Sequence, residues 1–397
     1  MNILFVTLKA LETNTSVTKS NIGLIKGFRD MGLEVDIIMP YIDKSLFYYD
    51  SSFDISSFNV YRINSQTIGD KIAVASSKSI GIRQKIISII RNLYYKFKVL
   101  DRGTQLLNEV KNINVYNKYY DYVISTSDPK SSHLFVKKMI KEGLKYGKWI
   151  QHWGDPLASD ITYSGLYPMF WRKLVEKKII SSADEIVYVS PFTFTYQKDV
   201  YKKLQNKMRF VPLTCDLNTD FLKEQISTTL LKKDKLRIAY LGDYNSRIRN
   251  IFPLYNVCKN NKKYNLTIAG NTDLSLMNTE NIKIFPRITS DKIKKIERDS
   301  DVIVSIGNLH GNQIPGKIYY AASSKKVILV ATDGEYKEQM KEYLNSYNRF
   351  ECCDNTEESL EITLNRIYNN LVEKNIENMY STPESLLPIN VAKKIIE

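Results

Sequence analysis

The residues best suited to chemistry lie in one stretch of the C-terminal third, GNQIPGKIYYAASSKKVILV (311–330). Pro315 suits the first position of a helix, and Gly316 and Lys317 follow it with neither bulk nor negative charge. Backbone N–H groups at such a helix start, together with the Lys317 ammonium, would suit a phosphate or diphosphate. The alternative is that Lys317 is an ordinary solvated lysine.

A second loop, GDYNSRIRN, precedes a predicted helix and contains Gly242, Arg247 and Arg249. The two arginines would complete an anion clamp through charge-assisted hydrogen bonds, although solvated surface charge is the alternative for each. His310 and Asn312 come shortly before Pro315 and are expected near the same site. Neither GxGxxG nor GxxxxGK[ST] follows a predicted strand, which argues against dinucleotide and P-loop chemistry.

The segment QHWGDP places His152, Trp153 and Asp155 at the carboxyl end of a predicted strand. A histidine there would hydrogen-bond a substrate, and Asp155 would orient the substrate or accept a hydroxyl proton. In the alternative interpretation, Asp155 caps the following turn and His152 is a satisfied core histidine. His133 falls within a predicted helix, where packing or capping is the favoured role.

Short apolar runs alternating with helix-length segments must position these residues, and they predict two parallel, doubly wound sheets. The predicted strands are 3–8, 35–40, 58–63, 120–127, 149–153, 185–190 and 209–214, then 236–243, 264–270, 282–287, 301–307 and 326–333. Helices are predicted at 21–31, 130–145 and 167–181. A polar stretch at 218–235 would link a domain at 1–217 to one at 236–397, with the last helix a candidate to pack back on the first domain. Two Rossmann-like domains of this kind would face a shared interdomain cleft.

Positive charge is concentrated in one segment of the 397-residue chain, whose net charge is +14. Residues 71–118 contain ten basic and two acidic residues. Within them, SIGIRQKIISIIRNLYYKFKVL has isoleucines at helical spacing and basic residues around the rest of the helix, which predicts a basic amphipathic helix. The basic positions expected to face an anionic membrane are Arg83, Lys85, Arg91, Lys96 and Lys98. Packing on the chain's own domain is the alternative, and no recognition motif supports nucleic acid binding.

Composition limits the compartment and the cofactors. The four cysteines have neither metal-site spacing nor a disulfide pattern, and the N-terminus reads as a buried strand rather than a signal peptide. No apolar run approaches the roughly 20 residues needed to span a bilayer. A cytoplasmic protein, peripheral on the inner face of the plasma membrane, is therefore expected. No DxD-like pair ends a strand, so we expect no metal and no cofactor.

Three stretches, in this order and at this spacing, resemble the GT-B glycosyltransferases, in particular glycosyltransferase family 4 and its group 1 relatives. VISTSDPKSSHLFVKKMIKEG followed by KWIQHWGDPL resembles an N-domain turn, helix and strand, and this resemblance implies an acceptor side that includes Ser125, Ser127 and Trp153. ADEIVYVSPFTFTYQKDVY, leading to KMRFVPLTCD, resembles the next strand and helix and the strand end before the linker. GNQIPGKIYYAASSKKVIL resembles the donor-binding segment.

This resemblance implies transfer of a sugar from a nucleotide-sugar donor to a lipid-linked or saccharide acceptor. The implied setting is synthesis of capsule or other bacterial surface polysaccharide, with retention by front-face transfer, no metal, and an acceptor carried on polyprenyl diphosphate.

The chain also departs from the family pattern at the donor segment. The family often has two glutamates eight positions apart, the second contacting the nucleotide ribose, and here those positions are Asn312 and Tyr320. The glycine-rich loop after the first strand is replaced by KALETNTSVTKSN. These departures leave open a non-catalytic partner subunit of a transferase. A sugar-nucleotide epimerase of the same fold is a third alternative, but its acid/base carboxylate pair is not identified.

Overall fold

The computed structural model describes residues 1–46, 49–64, 96–163, 165–215, 234–374 and 380–397. The chain divides into two compact units. The first contains Met1–Pro212 together with Ala392–Glu397, and the second contains Leu213–Val391. Each unit is built around its own parallel sheet.

The first unit contains a seven-stranded sheet in the order β3-β2-β1-β4-β5-β6-β7. Its strands are β1 (Asn2–Val6), β2 (Glu34–Pro40), β3 (Asn59–Ile63), β4 (Tyr119–Thr126), β5 (Lys145–Trp153), β6 (Glu185–Tyr188) and β7 (Met208–Phe210). Its helices are α1 (Ser16–Asp30), α2 (Ser131–Lys141), α3 (Met169–Ile180) and α4 (Pro191–Val200), with 3₁₀ turns at Arg102–Asn112 and Lys202–Lys207. The central strands are buried on both faces, which is why they read as continuous apolar runs.

The second unit contains a six-stranded sheet in the order β10-β9-β8-β11-β12-β13. Its strands are β8 (Leu236–Leu241), β9 (Tyr264–Ala269), β10 (Ile282–Phe285), β11 (Val302–Ile306), β12 (Val327–Thr332) and β13 (Glu351–Asp354). Its helices are α5 (Phe252–Asn260), α6 (Ser290–Asp299), α7 (Lys317–Ala321), α8 (Lys337–Asn345) and α9 (Glu357–Tyr368). Helix α10 (Pro388–Ile396) begins in this unit and ends in the first.

Both sheets reverse their strand order beside their own first strand, between β1 and β4 in one unit and between β8 and β11 in the other. In open parallel sheets, ligands bind at the carboxyl ends of the strands around such a reversal. The carboxyl edge of each sheet is therefore where functional side chains are sought.

The fold class and all twelve predicted strands are confirmed, with ends shifted by a few residues. The prediction of helix at 130–145 is too long, because α2 ends at Lys141 and β5 begins at Lys145. Strand β13, sequence ECCD, was not predicted because it is short and bounded by acidic residues. Most of the predicted linker, and Arg83, Lys85 and Arg91 of the predicted basic helix, lie outside the described residues.

Candidate functional site

The loops at the carboxyl edge of the second sheet pack closely because glycine occupies the contact points. A Cβ on Gly270, after β9, would lie 2.0 Å from the carbonyl oxygen of Gly242, after β8. A Cβ on Gly334, after β12, would lie 2.5 Å from the Asn308 carbonyl oxygen, after β11, and Gly334 has a φ of +75°. These two contacts leave no room for a side chain at Gly270 or Gly334.

Hydrogen bonds join the same loops across the sheet. The Leu309 N–H donates to the Ile248 carbonyl at 2.8 Å, which connects the loop after β11 to the loop after β8. The Asn355 amide donates to the Asn250 carbonyl and to Asp333 Oδ2, both at 2.8 Å. We call this connected surface, formed by 242–250, 270–273, 307–310 and 333–335, the loop ledge.

Lys317 reaches back from α7 to the loop ledge. A Cβ on Gly242 would lie 2.7 Å from Lys317 Nζ and 3.3 Å from its Cε, so the ammonium group lies directly over the Gly242 main chain. The structure therefore brings together two of the residues predicted to bind an anion. A glycine at this point allows a phosphate to approach both the backbone and the ammonium.

The predicted helix start itself is corrected. Helix α7 has only five residues, Gly316 is its N-cap, and Pro315 precedes the cap instead of occupying the first helical position. The Ile318 N–H donates to the Pro315 carbonyl, and the N–H groups of Tyr319 and Tyr320 donate to the Gly316 carbonyl. The predicted place of Pro315 at the first helical position is thus wrong. Anion binding at this segment stays a prediction, and the positive group that the structure brings to the loop ledge is the Lys317 side chain.

The remaining predicted donor residues are distributed around the ledge. An Arg249 guanidinium nitrogen donates to the Asp243 carbonyl at 2.9 Å, so Arg249 also holds the turn after β8. Arg247 is exposed in the same turn, and His310 is exposed beside Leu309. Arg249 is partly committed to the backbone, whereas Arg247 and His310 present their side chains to solvent.

Asn312 and Tyr320, the two positions at which the resemblance led us to expect glutamates, are 5% and 8% exposed. A Cβ on Gly316 would lie 3.1 Å from the Tyr320 hydroxyl, so the tyrosine ring lies against Gly316. After α7, the buried Arg349 donates from Nε to the Ala322 carbonyl at 2.7 Å and from a terminal nitrogen to the Lys326 carbonyl at 3.1 Å. Arg349 thereby fixes the turn between α7 and β12.

In the first unit, a polar group lies at the carboxyl end of the sheet. His152 of β5 lies directly beside Thr126 of β4 in the strand register, so the two side chains share one face of the sheet. His152 is 2% exposed, and within the described residues neither of its ring nitrogens, nor Thr126 Oγ1, has a hydrogen-bond partner. Asn21 of α1 donates to Thr7 Oγ1 at 3.3 Å on the same face. We call Thr7, Asn21, Thr126 and His152 the first-unit polar cluster.

Buried polar atoms without partners are rare in proteins, and each requires an explanation such as a bound group. Three of the four cluster members, Thr7, Asn21 and Thr126, were missed in the sequence because Thr and Asn are common and form no motif. The signal that could have identified them was their position, at the carboxyl ends of β1 and β4 and on α1. His152 forms no hydrogen-bonded pair with Asp155, since both its ring nitrogens lack partners in the described chain.

Buried His152 predicts a pH dependence of stability. Burial lowers the pKa of His152 to about 4, whereas the unfolded chain titrates near its ordinary value of about 6.5. As the pH falls, the unfolded chain takes up a proton on this histidine before the folded chain does. The contribution of neutral His152 to the free energy of unfolding is therefore complete above about pH 6.5 and is lost as the pH falls towards 4. We expect the free energy of unfolding to fall by about 3 kcal/mol over this window through His152 alone.

Denaturant titrations of wild type and His152→Leu at several pH values would measure this effect, and the variant should show a flatter slope. His133 contributes in the same direction, because burial, followed by the charges of His152 and Lys130, holds the pKa of His133 well below its usual value. His310→Gln is the control, since this side chain is exposed. Equal slopes for wild type and His152→Leu would contradict the prediction.

The structure places the predicted acceptor-side residues in the interior of the first unit. Ser125 is fully buried and its hydroxyl bonds with His133 Nδ1 and with the Trp149 indole N–H, both at 2.8 Å. Trp153 is fully buried and stacks on His133 with ring centroids 4.4 Å apart. Ser127 is 4% exposed and accepts the Gly154 N–H at 2.9 Å. These side chains support the strand ends from inside the unit, and their role on the acceptor side stays a prediction.

Beside them is a charged cluster that sequence reasoning missed. Lys130, 6% exposed, donates to Asp128 Oδ1 at 2.6 Å and to Asp160 Oδ2 at 3.1 Å. Burial alone would lower the pKa of Lys130, but the carboxylates of Asp128, Asp160 and Asp155 outweigh it and raise the pKa. Burial raises the pKa of Asp128, against the opposing charge of Lys130. Asp155 therefore belongs to an ion cluster at the carboxyl edge, next to β4.

No protein-family model matches the sequence, and no curated protein matches it either. Solved structures do match along nearly the whole chain. The Anabaena protein Alr3699/HepE in complex with UDP and glucose aligns with a TM-score of 0.55 and 12% identity, over 100% of this chain and 96% of that chain. A glycosyltransferase from Rickettsia africae ESF-5 aligns with a TM-score of 0.55 and 14% identity, over 100% and 93%.

An alpha-glucosyltransferase in complex with UDP and a 13-mer DNA aligns with a TM-score of 0.55 and 11% identity, over 99% of this chain and 95% of that chain. Identities this low compare the folds only. With its two doubly wound parallel sheets, the chain has the GT-B fold that these glycosyltransferases share.

The described residues lack two kinds of feature. None of their helices combines the length and apolar character that a bilayer crossing needs. Within the same residues, no group of three or more His, Cys, Asp or Glu side chains is arranged to hold a metal ion.

Proposed function

We propose that this chain is a glycosyltransferase that moves a sugar from a nucleotide-sugar donor to an acceptor. The observation that carries the proposal is the Lys317 ammonium lying over the Gly242 main chain at the carboxyl edge of the second sheet. Solved structures of the same fold bind UDP or UDP-glucose, which supports a nucleotide sugar as the donor. The sugar and the donor base are left to experiment.

The donor diphosphate would bind at the loop ledge. Lys317 supplies one full positive charge, and exposed Arg247 supplies a second from the turn after β8. Arg249 adds a third charge while holding that turn through Asp243. As the bond between the sugar and the diphosphate breaks, negative charge grows on the leaving phosphate, and fixed positive groups stabilise it without a metal. Gly242, His310 and Gly316 would line the approach, with buried Asn312, Pro315 and Tyr320 supporting the segment.

The acceptor would bind at the first-unit polar cluster. The imidazole of His152 is neutral at physiological pH because burial lowers its pKa, so one ring nitrogen accepts and the other donates a hydrogen bond. Asp155 or Asp128 of the neighbouring ion cluster would orient the acceptor or take its hydroxyl proton. We extend the proposal to retention by front-face transfer and to a lipid-linked acceptor of surface polysaccharide synthesis, at the inner face of the plasma membrane.

One specific observation favours a second candidate, a non-catalytic partner subunit. Asn312 and Tyr320 replace carboxylates, and both are buried. A ribose therefore meets no carboxylate at these two positions. A subunit that keeps the fold but not the donor would show this substitution.

Calorimetric titration with UDP, GDP, CDP and their sugar conjugates separates the two candidates. We expect micromolar binding of one nucleotide by the wild-type protein and weakening of at least tenfold in the Arg247→Ala, Arg249→Ala double variant. Lys262→Ala is a matched control, since its side chain is 86% exposed and lies outside the loop ledge. Absence of binding by every nucleotide would overturn the transferase proposal and favour the partner subunit.

A further inference from the structure

Helix α3 exposes an unusual set of large apolar side chains. Phe170 is 56% exposed, Trp171 50% and Leu174 54%, while Leu166 and Met169 just before them are 57% and 45% exposed. The rings of Phe170 and Trp171 lie 5.3 Å apart, so they form one aromatic surface. Single exposed apolar residues are ordinary, but a contiguous aromatic patch of this kind marks an interaction surface.

The opposite face of α3 is firmly anchored, so the aromatic face cannot turn inward. The buried Glu176 accepts the Leu157 N–H at 2.6 Å and the Tyr201 hydroxyl at 2.7 Å. Ile179 and Ile180 pack in the core of the first unit. The helix is thus apolar on two sides, one facing the core and one facing solvent.

The solvent face of α3 continues into positive charge. Residues 170, 171 and 174 share this face with 177 and 178, because helical neighbours lie three and four positions apart. Lys177 and Lys178 are exposed, and neither pairs with a carboxylate in the part of the chain that the structure describes. Burial first, and then the charges of Lys141 and Lys178, lower the pKa of Lys137, whose ammonium donates to the Lys178 carbonyl.

The chain preceding α3 adds to the patch. The Leu166 N–H donates to the Lys96 carbonyl at 2.9 Å, and the next residue, Phe97, is 61% exposed. Lys96 is exposed as well and belongs to the predicted basic helix. The loop that leads to α3 starts from the carboxyl end of β5, so the patch begins at the same edge as the first-unit polar cluster.

We propose that this face of α3, together with Phe97, inserts into the headgroup region of an anionic lipid bilayer. Aromatic and leucine side chains bury in the interface while lysines on the same face bind anionic headgroups. Lys177 and Lys178 on this face favour anionic headgroups over a second copy of the chain, whose same face carries the same positive charge. Delivery of a lipid-linked acceptor by this patch rests on the proposed function. Binding of the patch to lipid does not, because it is measured without any enzymatic turnover.

Tryptophan fluorescence tests the proposal directly. The chain has three tryptophans, and Trp149 and Trp153 are 1% and 0% exposed, so acrylamide quenching in solution reports on Trp171. With vesicles that contain phosphatidylglycerol, we expect a blue shift, loss of acrylamide quenching and new quenching by brominated lipid. Vesicles of phosphatidylcholine alone should give much smaller changes, and Trp171→Phe should remove the signal while the protein still sediments with anionic vesicles.

Two double variants distinguish insertion of the apolar side chains into the bilayer from attraction of the lysines to its surface. We expect Phe170→Ser, Leu174→Ser to lower partitioning into anionic vesicles at least tenfold, and Lys177→Gln, Lys178→Gln to lower it roughly fivefold per lysine. Met277→Ser is the matched control, because this side chain is 73% exposed in the second unit. Nucleotide titration of the same variants should give wild-type affinity, which keeps this test distinct from failure of the proposed function.

Two outcomes would overturn the inference. In the first, Trp171 stays fully accessible to acrylamide with excess anionic vesicles. In the second, its emission shifts without lipid as protein concentration rises and sedimentation shows a dimer, in which case a second copy covers the face.

Discussion

Lys317→Ala is expected to lower kcat/KM for the nucleotide-sugar reaction by roughly 10²–10³-fold, the loss typical for removing one preorganised group that stabilises developing charge. Lys317 is exposed, so the substitution leaves the free energy of unfolding nearly unchanged. The activity loss should come mainly from kcat if the ammonium acts on the leaving phosphate, and mainly from KM, with kcat nearly unchanged, if it only binds the diphosphate. Steady-state kinetics, run with the donor that calorimetry identifies, would measure kcat and KM separately.

Gly242→Ala tests the same contact without removing the charge. The added Cβ would lie 2.7 Å from Lys317 Nζ, and since a lysine end is flexible, the ammonium moves aside while the fold is kept. We expect an activity loss approaching that of Lys317→Ala, and little further loss when the two changes are combined. Lys295→Ala on α6 is the control for a generic loss of surface charge. Wild-type activity in both Lys317→Ala and Gly242→Ala would rule out the proposed clamp.

Lys130→Met should destabilise the first unit by up to about 3 kcal/mol, the low end of the cost of breaking a buried ion pair, because the lysine is buried while both carboxylates are partly exposed. Asp160 has a side chain only 14% exposed and loses its pairing with the lysine, while Asp128 loses its closest cation. Thermal and denaturant unfolding of the variant, compared with Lys141→Met at the exposed end of α2, would measure the cost.

A compensated variant identifies the cause of that loss. Asp128→Asn, Asp160→Asn added to Lys130→Met removes the unpaired charges and should restore most of the stability, because neutral amides bury at lower cost. If the triple variant is as unstable as Lys130→Met alone, lost packing of the lysine stem is responsible instead of charge. Lys130→Arg, which retains the charge, should lie between wild type and Lys130→Met.

The sequence was sufficient for the alternation of strands and helices, because buried parallel strands read as apolar runs bounded by polar turns. It was insufficient where tertiary contact decides the outcome. Helix α7 stops after five residues, and the N–H groups of Ile318, Tyr319 and Tyr320 donate to the Pro315 and Gly316 carbonyls, which no pattern in the sequence showed. The contact between Gly242 and Lys317 joins residues far apart in the chain, so only the fold reveals that they meet.

Side-chain roles in the first unit were harder still to predict. Ser125 and Trp153 end strands that reach the functional edge, but the alternation of faces along a strand turns both towards the core. Lys130 looked like one lysine among many, and its burial depends on Asp160, which is 30 residues away in the chain. The aromatic surface of α3 was also overlooked, since an apolar helix face is ordinarily assigned to the interior.

Close packing of the loop ledge has a consequence for engineering donor preference. A library that varies Gly270 or Gly334 would mostly yield unfolded or distorted clones, because any side chain there collides with a neighbouring backbone. His310 and Glu335 are exposed on the same loops, outside these glycine contacts. Diversity placed at these two positions, with the glycines and Arg247 held constant, would search sugar and base specificity while keeping both the fold and the proposed diphosphate clamp.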